Sequence, residues 1–210
     1  MIVQGSPEWF AARLGKVTAS KVSDVVAKTK SGWGASRANY MAALIAERLT
    51  QTPADSFSNA AMQWGTEQEP LARVAYEFFT GRDVEQVGFV DHPTIPMTGA
   101  SPDGLVGTDG LVEIKCPNTA THIDTLLDGK VPGKYVIQMQ WQMACTGRQW
   151  CDFVSFDPRM PEEMRLWIQR VDRDGPHIEL LEEDVTRFLA ELNVKVGDLK
   201  TKYSQERRAA

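Results

Sequence analysis

The amino-acid sequence predicts a single α/β domain, a small mixed central sheet flanked by helices, with a mainly helical N-terminal part. Three observations carry this reading. The chain has 210 residues, enough for one domain with a substantial core and too few for two ordinary ones. Hydrophobic residues make up 42% and charged ones 24%, globular values that exclude a disordered or fibrous chain. The hydrophobic period is helical up to Arg82 and then alternates between strand and helix, with no repeats, low-complexity tracts or linkers.

The elements follow in order. Ser6-Pro7-Glu8 offers an N-cap, a proline at the first helical position and an acid in the first turn, and Gly15 closes that helix. Thr18 caps a second helix in which Val22, Val25 and Val26 face inward. Residues 28–35, with two glycines and a serine, read as a loop. Ser36 caps a helix through Arg48 with Tyr40, Leu44, Ile45 and Leu49 on one stripe. Residues 59–80 are helical again; Pro70 is expected to kink or split that helix and Gly81 to end it. Beyond it, 84–90, 97–100 and 111–116 read as strands joined by Pro, Gly and Asp turns. Residues 118–128 and 134–146 are helices followed by Gly129 and Gly147. Residues 150–156 and 164–171 are strands. Ile178, Leu181, Val185, Phe188, Leu189, Leu192, Val196 and Leu199 mark a long amphipathic helix with a basic tail. The domain thus divides into a mainly helical part (1–81), a sheet with its helices (82–172) and a C-terminal helix with its tail (173–210).

The net charge is −5, which argues against a protein that coats nucleic acid over its whole surface. The charge is uneven: residues 1–60 carry a local +3 and the rest −8. One basic wall gripping a polyanion and ordinary scatter of solvated charge both fit that count. Cys116, Cys145 and Cys151 contain no CxxC pair, which disfavours a disulfide scaffold or a four-cysteine metal site and points to a reducing cytoplasm. His92, His122 and His177 lack metal-ligand spacing. No apolar run approaches the ~20 residues of a membrane span, and no secretory signal is expected at the start.

Two segments carry chemistry: Ser101-Pro102-Asp103-Gly104-Leu105 and Leu111-Val112-Glu113-Ile114-Lys115-Cys116-Pro117. Alternation along a strand sets Glu113 and Lys115 on one face and turns Val112 and Ile114 into the core. Asp103 precedes them at a turn, and a hairpin would bring it beside Glu113. Two carboxylates with a backbone carbonyl between them suit Mg²⁺ or Mn²⁺. A lysine on that face, its pKa lowered by nearby cations, would position or deprotonate a water, as metal-assisted phosphodiester hydrolysis requires. The bare pattern arises in roughly one random chain in twenty at average composition. A surface Glu–Lys pair beside a turn also fits these residues taken alone.

The pattern resembles the PD-(D/E)xK nuclease core, and a wider set of motifs resembles the phage lambda exonuclease family of YqaJ-type viral recombinases. The set comprises Trp9-x3-Arg13-Leu14-Gly15, Thr18-Ala19-Ser20, Trp64-Gly65-x3-Glu69, the two segments above, Gln138-x-Gln140 and Phe156-Asp157-Pro158-Arg159-Met160. The resemblance implies a restriction-endonuclease-like core and a processive 5′→3′ exonuclease on linear double-stranded DNA. It also implies a ring-shaped homotrimer that uses Mg²⁺ in a two-ion arrangement, with Mn²⁺ as a substitute. Asp103, Glu113 and the Ile114 carbonyl would be metal ligands, and Lys115 would handle the attacking water. Glu69 would be a further carboxylate, Gln138 would bond near the scissile phosphate, and Tyr135 would stand beside it. Arg13, Ser20 and Ser101 would hold the terminal 5′-phosphate. Met62 would be the wedge that parts the first base pairs, although core packing also fits it. Lys28 or Lys30 would reach into a DNA groove.

The product, a 3′-ended single strand, would pass to a single-strand annealing recombination protein of the phage in the bacterial cytoplasm. Within nucleases the alternative is an endonuclease or repair nuclease; outside them it is a non-catalytic DNA-binding module. An iron–sulfur nuclease is disfavoured, because three scattered cysteines cannot supply four ligands.

Overall fold

The computed structural model describes residues 2–30, 32–53 and 60–209, excluding the side chains of 61, 62 and 205–209. Ser6 Oγ accepts the Trp9 N–H at 3.2 Å and Pro7 opens α1 (Pro7–Arg13), as the capping residues predict. Gly15 turns the chain at φ +68, where a Cβ would stand 2.9 Å from Arg48 Cγ. The single helix expected after Thr18 is divided. β1 (Val17–Thr18) leads into a 3₁₀ turn (Ala19–Lys21) and then α2 (Val22–Val25), and the Thr18 side chain makes no capping bond. The expected loop 28–35 contains a small hairpin, β2 (Lys28–Thr29) with β3 (Gly32–Trp33). Gly34, not Ser36, is the N-cap of α3 (Ala35–Thr50).

α4 (Ala60–Thr80) is one helix across Pro70. Pro70 is exposed, where water can meet a carbonyl that has lost its helical donor. The strand expected at 84–90 is two short ones in different sheets, β4 (Val84–Glu85) and β5 (Val90–Asp91). There follow β6 (Thr98–Ala100), β7 (Gly104–Val106), β8 (Gly110–Lys115), α5 (Thr119–Asp128), α6 (Gly133–Thr146), β9 (Trp150–Phe156), β10 (Leu166–Asp172) and α7 (Gly175–Ala209).

The larger sheet has the order β10-β9-β8-β7-β4. Only β8 and β9 run parallel in it, and the crossover between them carries α5 and α6. A smaller sheet, β1-β6-β5, stands beside it. One core cluster joins α2, α3, α6 and α7 through Val22, Leu44, Trp141 and Phe188. A second packs Ala72 and Tyr76 of α4 against Val112, Ile114 and Val154. The third packs Met139 and Met143 of α6 against Leu111 and Phe153. Strand β8 is therefore covered on both faces, by α4 and by α6.

Candidate active site

The β7–β8 ladder runs from Val106 opposite Gly110 to Gly104 opposite Val112. One step further along that register, Asp103 falls opposite Glu113. Pro102 cannot extend the ladder as a donor. Instead the Asp103 carboxylate takes the place of a strand partner, Oδ2 accepting the Ile114 N–H at 2.7 Å. The expected hairpin juxtaposition is present.

Glu113 and Lys115 share one face of β8, as strand alternation predicts, but that face is covered rather than open to water. Because α6 covers that face, the Glu113 side chain is fully buried and Lys115 is 29% exposed. A buried carboxylate needs partners. Glu113 has Gln138 Nε2 donating to Oε1 at 2.7 Å and Gln142 Nε2 donating to Oε2 at 2.6 Å. Lys115 Nζ pairs with Oε1. Gln138 and Gln142 are one helical turn apart on α6, so both amides face the same acid.

Charge is crowded here. Burial pushes the Asp103 carboxyl well above the usual range, and the neighbouring Glu113 adds to it. Glu69 pushes the same way, while Lys115 and the Ile114 N–H oppose. Burial works against the Lys115 ammonium, yet Glu113 and Asp103 outweigh it and hold its pKa above the ordinary lysine value. The protein's own charges thus act on Lys115 opposite to the lowering expected from cations. Glu69 is close enough to act on Asp103 and is itself held by Arg73, whose Nη2 donates to Oε1 at 2.7 Å. The Tyr135 ring lies 5.4 Å from Lys115 Nζ and stacks on Phe153 at 5.3 Å.

Among the described residues no group of three or more His, Cys, Asp and Glu side chains gathers as a ready ligand set. A cation here would be held by the Asp103 and Glu113 carboxylates with the Ile114 carbonyl. These are hard oxygen donors of the kind Mg²⁺ takes. Two carboxylates balanced by a single lysine fit a positive ion.

A second feature lies toward the N-terminus. The Arg13 guanidinium stands 3.7 Å over the Trp9 ring, and Trp9 Nε1 donates to Ser101 Oγ at 2.9 Å. Trp9 therefore bridges two of the three residues expected around a phosphate. Trp9 and Arg13 border a cavity of about 270 Å³ lined also by Thr18, Lys21, Tyr40 and Glu47, whereas Ser20 and Ser101 are not part of its lining. Burial lowers the Arg13 pKa, with Tyr40 and Glu47 opposing. Ser20 is exposed, its Oγ 3.4 Å from Thr18 Oγ1.

Residues 8–149 match the YqaJ-like viral recombinase domain. The chain belongs to the YqaJ-like family. Among solved structures it is similar to LHK-Exo, an alkaline exonuclease from Laribacter hongkongensis, with 57% identity over 95% of this chain and 99% of that one and a TM-score of 0.89. The same protein in complex with dAMP gives a TM-score of 0.90 at the same identity and coverage. A phage-related exonuclease from Haemophilus somnus 129PT shares 16% identity over 88% of this chain and 96% of that one, with a TM-score of 0.73. That likeness shows the fold alone. No curated protein matches.

In this YqaJ-like chain the structure brings Asp103, Glu113, Lys115, Gln138 and Tyr135 together, with Glu69 in electrostatic reach. Three contributors escape the sequence reading. Gln142 and Arg73 each stand one turn beyond a predicted residue, a helical spacing that could have found them. Trp9 belongs to a motif, but its bridging of Ser101 and Arg13 depends on contacts across the fold. Gln140, grouped with Gln138 in the motif, faces elsewhere. Its amide binds the Asp172 carbonyl at 2.8 Å and the Asp174 N–H at 2.9 Å, fastening α6 to the start of α7. The Met62 side chain lies outside the described residues. Lys28 and Lys30 are both exposed, and Lys28 Nζ lies 3.2 Å from Asp184 on α7.

Proposed function

We propose that this YqaJ-like protein is a Mg²⁺-dependent 5′→3′ exonuclease on linear double-stranded DNA. It hydrolyses the 5′-phosphorylated strand to mononucleotides and leaves a 3′ single strand for recombination by annealing. The observation that carries this is the buried Glu113 with Asp103 opposite it and Lys115 paired to it, at the end of a strand flanked by α4 and α6. A non-catalytic DNA-binding module has no need of that arrangement. The 57% identical LHK-Exo is described as an alkaline exonuclease and was solved with dAMP, a mononucleotide of the class such a reaction releases.

Asp103, Glu113 and the Ile114 carbonyl would hold Mg²⁺, which supplies charge stabilisation at a phosphoryl group and activates water. Gln138 and Gln142 fix the orientation of Glu113 and keep its carboxylate satisfied out of water. Lys115 Nζ, kept charged by Glu113, offers hydrogen bonds to the attacking water or a phosphate oxygen. Glu69, restrained by Arg73, adds a further acceptor on the α4 side. Arg13 presents a planar donor fork to the terminal 5′-phosphate, with Ser101 set by Trp9 and Ser20 at the rim.

Assembly as a homotrimeric ring accounts for processivity by enclosing the DNA. An apolar row on α4, Leu71, Val74, Phe78 and Phe79, is 55–91% exposed and supports burial of that face against another chain. Among the described residues no helix is long and apolar enough to cross a membrane, in keeping with action on DNA in the cytoplasm beside an annealing protein.

The test is degradation of end-labelled DNA with Mg²⁺, comparing 5′-phosphorylated linear duplex, the 5′-hydroxyl duplex and closed circles. Mononucleotides released from the 5′-phosphorylated linear form, circles left intact and an inactive Lys115→Ala variant are the expected outcome. Cutting of circles would replace the exonuclease with an endonuclease. Duplex binding without cutting in Mg²⁺ or Mn²⁺ would leave a binding module.

A further inference from the structure

The motif Phe156-Asp157-Pro158-Arg159-Met160 has no part in the chemistry above, yet its two charged residues form a tightly held pair beside the site. The Asp157 side chain is fully buried. Its Oδ1 accepts from Arg159 Nε at 2.7 Å and from the Arg159 N–H at 3.0 Å. Its Oδ2 accepts from Arg159 Nη2 at 2.9 Å and from Thr119 Oγ1 at 2.7 Å. Burial works against the Asp157 carboxylate, but these bonds outweigh it and hold its pKa down at about 2.

The guanidinium so fixed does two things. Its Cζ lies 4.4 Å from the centroid of the Trp64 ring in α4, and its Nη2 stands 3.4 Å from the Pro117 carbonyl. Pro117 lies two residues past Lys115, the last residue of the strand that also carries Glu113. Next to Trp64, a Cβ on Gly65 would lie 3.9 Å from the Cys116 carbonyl, so α4 and the end of β8 are in close approach. Glu69 stands further along the same helix. One ion pair at the end of β9 therefore ties the start of α4 to the end of β8. These two elements supply the carboxylates on opposite sides of the site.

We propose that Arg159, held by Asp157, is a positioning residue. By clasping Trp64 to the Cys116–Pro117 corner it sets the placement of α4, and so of Glu69, relative to Asp103 and Glu113. A guanidinium suits this task because it can contact an indole ring while its edge is fastened to a carboxylate. The proposal rests on the nuclease reading above.

The experiment is a double-mutant cycle on the full-length protein with Arg159→Gln, Glu69→Gln and the pair. It measures turnover of linear duplex, duplex affinity in EDTA with its salt dependence, and thermal stability. Arg159→Gln is expected to lower kcat by about tenfold to a hundredfold, the scale of a misplacement of about an ångström, with duplex affinity and its salt slope unchanged. The double variant should be no slower than Glu69→Gln alone, because the clasp acts through Glu69. Arg159→Lys keeps a cation on Asp157 but loses the planar guanidinium that bridges Asp157, Trp64 and the Pro117 carbonyl, and should show reduced kcat with near-normal stability.

Multiplied losses in the double variant, a Glu69→Gln change without effect, or normal kcat in Arg159→Lys would each overturn the proposal. Weakened binding with a shallower salt slope would also overturn it, by making Arg159 a phosphate contact. Wild-type protein that cuts no DNA would instead defeat the nuclease reading itself.

Discussion

The environment of Glu113 makes a demanding prediction. Its side chain is wholly removed from solvent, and Gln142 Nε2 donates to Oε2 at 2.6 Å. Gln142 is itself fully buried, so water cannot replace the lost donor. Gln142→Met preserves chain length and approximate volume and deletes only the amide. A hydrogen bond to a charged group contributes about 1.5–3 kcal/mol, and leaving its buried partner unsatisfied lies toward the upper end. For a chain of this size each kcal/mol moves Tm by about 2–4 °C, so Gln142→Met should melt roughly 4–10 °C below wild type. The control is the same substitution in a Glu113→Gln background, where the acceptor is neutral. There the loss should shrink to about 1 kcal/mol or less. Thermal unfolding followed by circular dichroism reads both. A wild-type Tm for Gln142→Met, or equal losses in the two backgrounds, would refute the idea that α6 holds this carboxylate through paired amides.

Two further outcomes follow from geometry elsewhere. The folded Asp157 carboxyl titrates at about 2 against an ordinary 3.8, so it favours the native state above about pH 4 and loses that contribution as pH falls toward 2. The shift corresponds to about 2 kcal/mol. The stability gap between wild type and Asp157→Asn, measured by urea unfolding, should therefore narrow from about pH 6 to about pH 3, and a gap independent of pH would count against it. In the proposed phosphate pocket, Trp9→Phe keeps a ring under Arg13 but removes the N–H bonded to Ser101 Oγ. The preference in kcat/KM for 5′-phosphate over 5′-hydroxyl ends should drop about threefold to tenfold, the worth of one hydrogen bond. An unchanged ratio would remove Trp9 from the pocket.

Local signals were legible because local physics decides them. Ser6 with Pro7, Gly129 and Gly147 mark helix ends through caps and φ > 0 positions that need only near neighbours. The period of Ile178 through Leu192 makes α7 readable, since one face must be buried. Strands of two or three residues, such as β1, β4 and β5, were not legible in that way. Their pairing partners are distant in sequence, and no propensity accumulates over so short a span. Thus 84–90 looked like one strand while its two ends joined different sheets.

The same division holds for the site. The spacing of Asp103, Glu113 and Lys115 follows from strand alternation and a hairpin, so the sequence by itself determined which acids and which lysine come together. It also determined the family, through motifs strung along the chain in order. Only the tertiary structure decided what surrounds them. Alternation names the two faces of β8 but not what covers each. Packing of α6 over one face buried Glu113, aimed Gln142 at it beside Gln138, and turned the intervening Gln140 toward the start of α7. The approach of α4 brought the Glu69 charge within reach of Asp103, and the fold set Trp9 between Arg13 and Ser101. Each of these depends on where one element comes to rest against another, and burial and charge at the site are set by that packing.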